Sequence, residues 1–144
     1  MIISAQLSHL DEIVAIENTS FEKPWSQNQI KADIQTKMES ENWVFIRNVQ
    51  VVGYIFGWSI QNEFHLNNIA VHPDYLRKKI GKKLIHHIIL RLVKRKVEVI
   101  LLEVSIHNIP ALKYYESLGF VQTGMRKDYY LKGDDAILYN LEIN

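Results

Sequence analysis

The stretch from Glu63 to Gly119 constrains the fold of this 144-residue chain more than any other. Phe64 to Val71 reads as a β-strand, broken by His72-Pro73-Asp74. A basic, glycine-bearing turn follows, Tyr75-Leu76-Arg77-Lys78-Lys79-Ile80-Gly81-Lys82-Lys83, and opens a helix over residues 80–96. Leu84, Ile85, Ile88, Ile89 and Leu92 recur at helical spacing on one side of that helix, with its cations on the other. Val97 to Ser105 is again a strand, apolar on both faces as a central strand requires. A strand, a helix and a second strand of these lengths predict a parallel pair with a right-handed crossover. The turn brings main-chain N–H groups and cations to a helix N-terminus, where a phosphate is readily held. The second strand carries Glu103, and the helix after it carries Tyr114 and Tyr115. One unit therefore offers an anion cradle, a candidate base and a candidate acid.

The remaining elements follow from periodicity and turn chemistry. Residues 2–6 predict a short first strand, and Ser8 is placed to cap a helix with Leu10, Ile13, Val14 and Ile16 inward. After the loop Phe21 to Trp25, Ser26 and Gln29 form a capping-box pattern for a second helix that buries Ile30, Ile34 and Met38. Residues 43–47 and 51–60 predict a hairpin around Asn48-Val49-Gln50. Asn108 is placed to cap the helix containing residues 111–118, with Pro110 in its first turn and Gly119 as its stop. Residues 120–127 and 136–143 predict two last strands around Gly133-Asp134-Asp135. The expected order is βααβββαβαββ, one three-layer α/β domain over residues 1–144 with a mixed sheet of about seven strands.

Composition narrows the chemistry. The chain has no cysteine, which excludes disulfides, thiolate metal sites and a cysteine nucleophile. The longest apolar run, residues 51–60, is too short to span a bilayer, and the first ten residues lack a secretory pattern, so a soluble cytoplasmic protein is expected. His86 and His87 lack carboxylate or cysteine partners at ligand spacing, and no metal is expected. Net charge is +1, yet no acidic residue lies between Asp74 and Glu98, and nine of the 17 Lys and Arg fall between Arg77 and Lys96. That field suits an anionic ligand, or alternatively a solvated helix face.

The order of elements, the run Asn68-Ile69-Ala70-Val71-His72-Pro73-Asp74-Tyr75 into a basic Ile80-Gly81 turn, and Asn108 followed by Tyr115-Glu116-Ser117-Leu118-Gly119-Phe120 resemble the GNAT superfamily of acetyl-CoA-dependent N-acetyltransferases. Phe21 with Pro24-Trp25-Ser26, Leu102-Glu103-Val104, Arg126 with Asp128-Tyr129-Tyr130, and Asp134-Asp135-Ala136-Ile137 further resemble the RimI-type ribosomal-protein alanine N-acetyltransferases within it. The resemblance covers nearly the whole chain. It implies that main-chain groups of Ile69, Ala70 and Val71 hold the acetyl and pantetheine portions of acetyl-CoA. It also implies that Arg77, Lys78, Lys79, Ile80, Gly81 and Lys82 bind the pyrophosphate and that Asn108 contacts the pantetheine arm. Glu103 would be the general base and Tyr115 the general acid. The acceptor implied is a protein N-terminus, that of a ribosomal protein, with possible ribosome association and neither membrane nor specific nucleic-acid binding.

One position departs from the pattern. The superfamily's phosphate turn, Arg or Gln-x-x-Gly-x-Gly or Ala, falls on Leu76-Arg77-Lys78-Lys79-Ile80-Gly81, where only Gly81 matches. Lys79 stands where a glycine is usual, and glycine is used where backbone approaches a ligand or takes positive φ. Lys79 is expected either to adopt an ordinary φ with its side chain outward or to weaken the cofactor site.

The residues also fit the chemistry of amide formation from a thioester. It requires a neutral amine, a polarised carbonyl and a protonated leaving thiol. An N-terminal amine, with a pKa near ~8 against ~10.4 for lysine, is the easier acceptor to deprotonate. Glu103 could take that proton, Tyr115 could donate to sulfur, and N–H groups of residues 68–71, if splayed from the neighbouring strand, could hold the thioester oxygen. No protein nucleophile is needed, so direct transfer in a ternary complex is expected. Trp25, Tyr129 and Tyr130 are either packing aromatics or the wall of a peptide groove. Two other readings stay open: an acetyltransferase for lysine side chains or a small amine, and a non-catalytic acyl-CoA- or ribosome-binding module.

Overall fold

The expected sheet of seven strands is the organising element, in the order β1-β2-β3-β4-β5-β7-β6. The computed structural model describes residues 1–36 and 39–143. Met38, expected on the buried side of the second helix, lies outside them. The strands are β1 (Ile2–Ser4), β2 (Ser40–Arg47), β3 (Gln50–Ile60), β4 (Glu63–Val71), β5 (Val99–Ser105), β6 (Val121–Leu131) and β7 (Asp134–Glu142). The helices are α1 (Leu10–Ser20), α2 (Gln27–Gln35), α3 (Ile80–Lys94) and α4 (Ile109–Ser117), with short 3-10 turns at Leu7–His9 and Pro73–Tyr75. The order βααβββαβαββ is the one expected. β4 and β5 pair parallel, as the strand–helix–strand pattern predicts, and the other neighbouring pairs are antiparallel.

Local chemistry explains the element ends. At α2, Gln29 N–H donates to Ser26 Oγ at 3.1 Å and Ser26 N–H donates to Gln29 Oε1 at 2.8 Å, a complete capping box. Asn108 Oδ1 accepts from Ala111 N–H at 3.3 Å at the start of α4, and Gly119 ends that segment at φ +100°. Asn48 and Val49 both take left-handed φ, giving the two-residue turn that matches strand twist. The cap expected at Ser8 does not form. Ser8 lies inside the 3-10 turn, and His9 Nδ1 accepts the Gln6 N–H at 3.0 Å instead.

Two apolar clusters face opposite sides of the sheet. On one side Leu84, Ile85, Ile88 and Leu92 of α3 pack with Val52 and Ile55 of β3, Phe64, Leu66 and Ile69 of β4, and Ile100, Leu102 and Val104 of β5. On the other, Leu10, Ile13 and Ile16 of α1 and Ile30 and Ile34 of α2 pack on Val44, Val51, Tyr54, Phe56 and Ala70. That second cluster stops at β4. The outer face of β5, on which Glu103 stands exposed, is therefore left for a site.

A bulge in β4 positions that site. Phe56 of β3 pairs with Asn68 and its neighbour Gly57 with Leu66, so Asn67 is an extra residue. Because strand side chains alternate, the extra residue flips the parity of β4. Phe64, Leu66 and Ile69 face the α3 cluster, whereas Ala70 faces the α1 cluster. The same irregularity parts β4 from β5, whose pairing runs only from Glu63↔Val99 to His65↔Leu101. From Leu66 to Val71 the edge of β4 toward β5 carries no strand, while β5 stays paired with β7 through Ser105↔Ala136.

Candidate active site

Two cavities open along the parted strands. Consecutive residues of β4 line them: Leu66 and Asn67 one, Ile69, Ala70 and Val71 the other. The first holds about 500 Å³ and is mostly apolar. Besides Ile69, Ala70 and Val71 it is walled by Phe21, Leu76, Asn108, Tyr114 and Tyr115. Five residues expected to touch an acyl donor or its thioester thus share one cavity: Ile69, Ala70, Val71, Asn108 and Tyr115. The second cavity, about 540 Å³, gathers Glu103 with all three aromatic candidates, Trp25, Tyr129 and Tyr130. Trp58, His65, Asn67 and Arg126 join them. Glu103 stands two residues beyond Leu101, the last residue of β5 paired with β4, and so beside the opening.

Residues Arg77 to Lys82 do not line either cavity; they form the turn that follows Leu76 at the rim of the first. Arg77 and Lys79 both adopt left-handed φ, +63° and +61°. Lys79 therefore takes up the conformation a glycine would have had, and of the two alternatives expected for it the ordinary φ is not found. The first α3 bond is from Lys83 N–H to Lys79 O at 3.0 Å, which leaves the N–H groups of Ile80, Gly81 and Lys82 without intrahelical partners. The Ile80 side chain is in the core, so only its main chain faces a ligand. Arg91 of α3 and Arg95 just after it are held by the buried Glu41 carboxylate, Arg95 at 2.9 Å. The basic field near the cavity is thus that of residues 77–83.

The adjacent tyrosines differ. Tyr115 packs edge-on to Phe120 and joins the α3-side core. Its burial, with Tyr114 and Tyr130 nearby, holds its hydroxyl well above the ordinary tyrosine pKa, so it stays a proton donor near neutrality. Tyr114 is more exposed, and its hydroxyl lies over Gly81, where an added Cβ would come within 1.7 Å of it. A larger residue at 81 would displace the Tyr114 side chain. Burial pushes Tyr114 up to about 12.

The segment carrying Tyr129 and Tyr130 is built by carboxylates. β6–β7 pairing jumps from Arg126↔Ala136 to Leu131↔Asp134, so residues 127–130 bulge out of the ladder with Asp128 at φ +52°. Asp128 N–H donates to Asp135 Oδ1 at 2.7 Å, and Gly133 N–H to Asp128 Oδ1 at 2.7 Å. The Ser105 hydroxyl donates to Asp134, tying the segment to the end of β5. Glu103 beside it is the chief cause holding the Tyr129 hydroxyl above its ordinary pKa. Burial and then Glu103 push Tyr130 up to about 12.

Reading apolar periodicity missed Glu17. It lies on the buried side of α1, only 1% exposed, where a carboxylate is costly unless fully paired. The sequence signal was an acid four residues after Ile13 on a face otherwise apolar.

The chain matches the model of the acetyltransferase (GNAT) family over residues 10–120. It is 33% identical over 146 residues to the ribosomal protein bS18-alanine N-acetyltransferase of Escherichia coli strain K12, covering 99% of this chain and 97% of that protein. Similarity to the protein of the same designation from Haemophilus influenzae is 31% over 134 residues, 92% and 90% of the two chains. The crystal structure of the ribosomal-protein-S18-alanine N-acetyltransferase from Escherichia coli superposes with a TM-score of 0.87 at 32% identity, covering 100% of this chain and 94% of that one.

Proposed function

From membership of the acetyltransferase (GNAT) family, to which this chain belongs, we propose that it transfers the acetyl group of acetyl-CoA to the N-terminal α-amine of a protein. The relatives cited are named as alanine N-acetyltransferases of ribosomal protein bS18, and the N-terminal alanine of a ribosomal protein is the acceptor proposed here. The observation that carries the reading is the parting of β4 from β5, which separates a donor cavity containing Tyr115 from an acceptor cavity containing Glu103.

The donor supplies an acetyl group activated as a thioester. The first cavity fits it: the unpaired edge of β4 at Ile69, Ala70 and Val71 offers main-chain groups to the acyl and pantetheine portions, with Asn108 lining the same cavity. Free N–H groups at the α3 N-terminus and the cations of residues 77–82 hold the pyrophosphate. From the second cavity, Glu103 takes a proton from the attacking amine, directly or through one water. Nitrogen bonds to the acyl carbon, main-chain N–H groups of β4 hold the carbonyl oxygen, the carbon–sulfur bond breaks, and Tyr115 gives its proton to the departing sulfur. Trp25, Tyr129 and Tyr130 wall the acceptor's path to Glu103. Both reactants are bound together and no protein nucleophile intervenes.

Intact-mass analysis tests the acceptor class. An alanine-starting peptide with a free α-amine and an internal lysine should gain one acetyl group at its N-terminus. The same peptide with a blocked N-terminus should gain none. Acetylation of the blocked peptide at lysine would overturn the α-amine reading, and acetylation of neither would overturn the enzyme's proposed peptide acceptor.

A further inference from the structure

Glu17 lines neither cavity and is, among the described residues, the only acidic residue of α1 that is buried. Its carboxylate accepts three hydrogen bonds, each from a different element. Oε1 takes the Tyr54 hydroxyl of β3 and the Asn68 Nδ2–H of β4, the latter at 2.6 Å. Oε2 takes the Trp25 main-chain N–H at 2.9 Å. One oxygen therefore grips the sheet at the residue next to the bulge, and the other grips the α1–α2 loop. That loop borders both cavities, with Phe21 in the first and Trp25 in the second. The bulge divides the same two cavities at Asn67 and Ile69.

A carboxylate accepts from all three donors as they stand, whereas an amide turns an NH₂ toward at least one of them, which only the Tyr54 hydroxyl or a turned Asn68 amide could accept. The Trp25 N–H has no second role to fall back on, because a main-chain N–H cannot accept. Leucine or methionine would fill the volume more cheaply, so packing alone does not account for a carboxylate here.

We propose that Glu17 is a positioning residue for the acceptor side of the site. It fixes the α1–α2 loop, and Trp25 with it, against the β4 bulge, so that the acceptor chain is held in line with Glu103. This rests on the proposed transfer reaction. The Glu17 carboxylate bonds Trp25, which lines the second cavity, and neither Phe21 nor any of residues 77–82, so the acceptor side carries the larger effect.

Steady-state kinetics of Glu17→Gln with the alanine-starting peptide and acetyl-CoA, each varied in turn, provide the test. The expected result is a KM for the peptide raised about tenfold, with the KM for acetyl-CoA changed less than twofold. Tyr54→Phe keeps the volume and the carboxylate but removes one of the sheet-side bonds, and should raise the peptide KM by a smaller factor; it decides the matter if Glu17→Gln does not fold. A purely structural role predicts a lower Tm in both variants with the peptide KM within twofold of the parent, and that result would overturn the proposal. So would a rise in both KM values together. An inactive parent enzyme would instead refute the transfer reaction itself, and the two failures are thereby distinct.

Discussion

Lys79 is the residue at which sequence pattern and conformation conflict most directly. The pattern calls for glycine, and the backbone keeps the left-handed φ that glycine would have supplied. A side chain with a Cβ in that region costs about 1 kcal/mol or more. Lys79 is exposed and its side chain makes no cap bond to α3, so nothing local offsets that cost. Lys79→Gly should therefore raise stability by about 1 kcal/mol in denaturant unfolding. Calorimetry should show CoA affinity kept or improved, because the main-chain N–H groups do not change place. A clear loss of affinity would mean that the Lys79 ammonium itself holds a phosphate. The sequence revealed this conflict but not its resolution, because residue identity does not report φ.

At the scale of elements, the feature that makes the site is the bulge at Asn67, and Gly57 opposite it permits that bulge. A Cβ on Gly57 would lie 2.3 Å from Phe64 Cζ and 2.6 Å from the His65 carbonyl oxygen. The oxygen belongs to the backbone of the last β4 residue paired with β5, so it cannot swing aside. Gly57→Ala should cost about 3 kcal/mol in denaturant unfolding and reduce turnover, since any relief must move β4 where it leaves β5. Unchanged stability and turnover would contradict the role given to the bulge. Strand and helix order were legible from periodicity because amphipathic segments such as α3 have one dry face. The bulge was not, because Leu66 to Val71 reads as uninterrupted strand and pairing partners lie far away in sequence. Nor was Ser8 correctly read. It and its two neighbours form a 3-10 turn, and a short-range bond from Gln6 to His9 outcompetes the hydroxyl as a cap.

At the scale of the molecule, helices on both faces of β2 to β4 and on one face of β5 leave the corner between β4 and β5 open, and the candidate residues converge there from separate parts of the chain. Glu103, Tyr115 and Asn108 were legible because they sit in or beside one strand–helix unit with a familiar order. Trp25, Tyr129 and Tyr130 could be named but not placed, since only the carboxylate-built bulge at residues 127–130 carries the tyrosines to Glu103. Glu17 escaped notice because its role depends on three partners in three elements. No helix among the described residues is long and apolar enough to cross a membrane. The proposed placement of a base and an acid on opposite sides of the donor is tested by the rate profile of Glu103→Gln from about pH 6 to 9, with Tyr115→Phe beside it. Glu103→Gln should lower turnover on an alanine-starting peptide by roughly 10²-fold at neutral pH. It should regain part of that loss as pH rises, because the acceptor amine then sheds its proton unaided. The raised pKa of Tyr115 keeps its hydroxyl protonated across this range, so the parent enzyme should show no alkaline fall from that group. Tyr115→Phe should slow turnover at every pH while leaving CoA affinity nearly unchanged. Turnover near that of the parent in both variants across the range would contradict the assignment of base and acid.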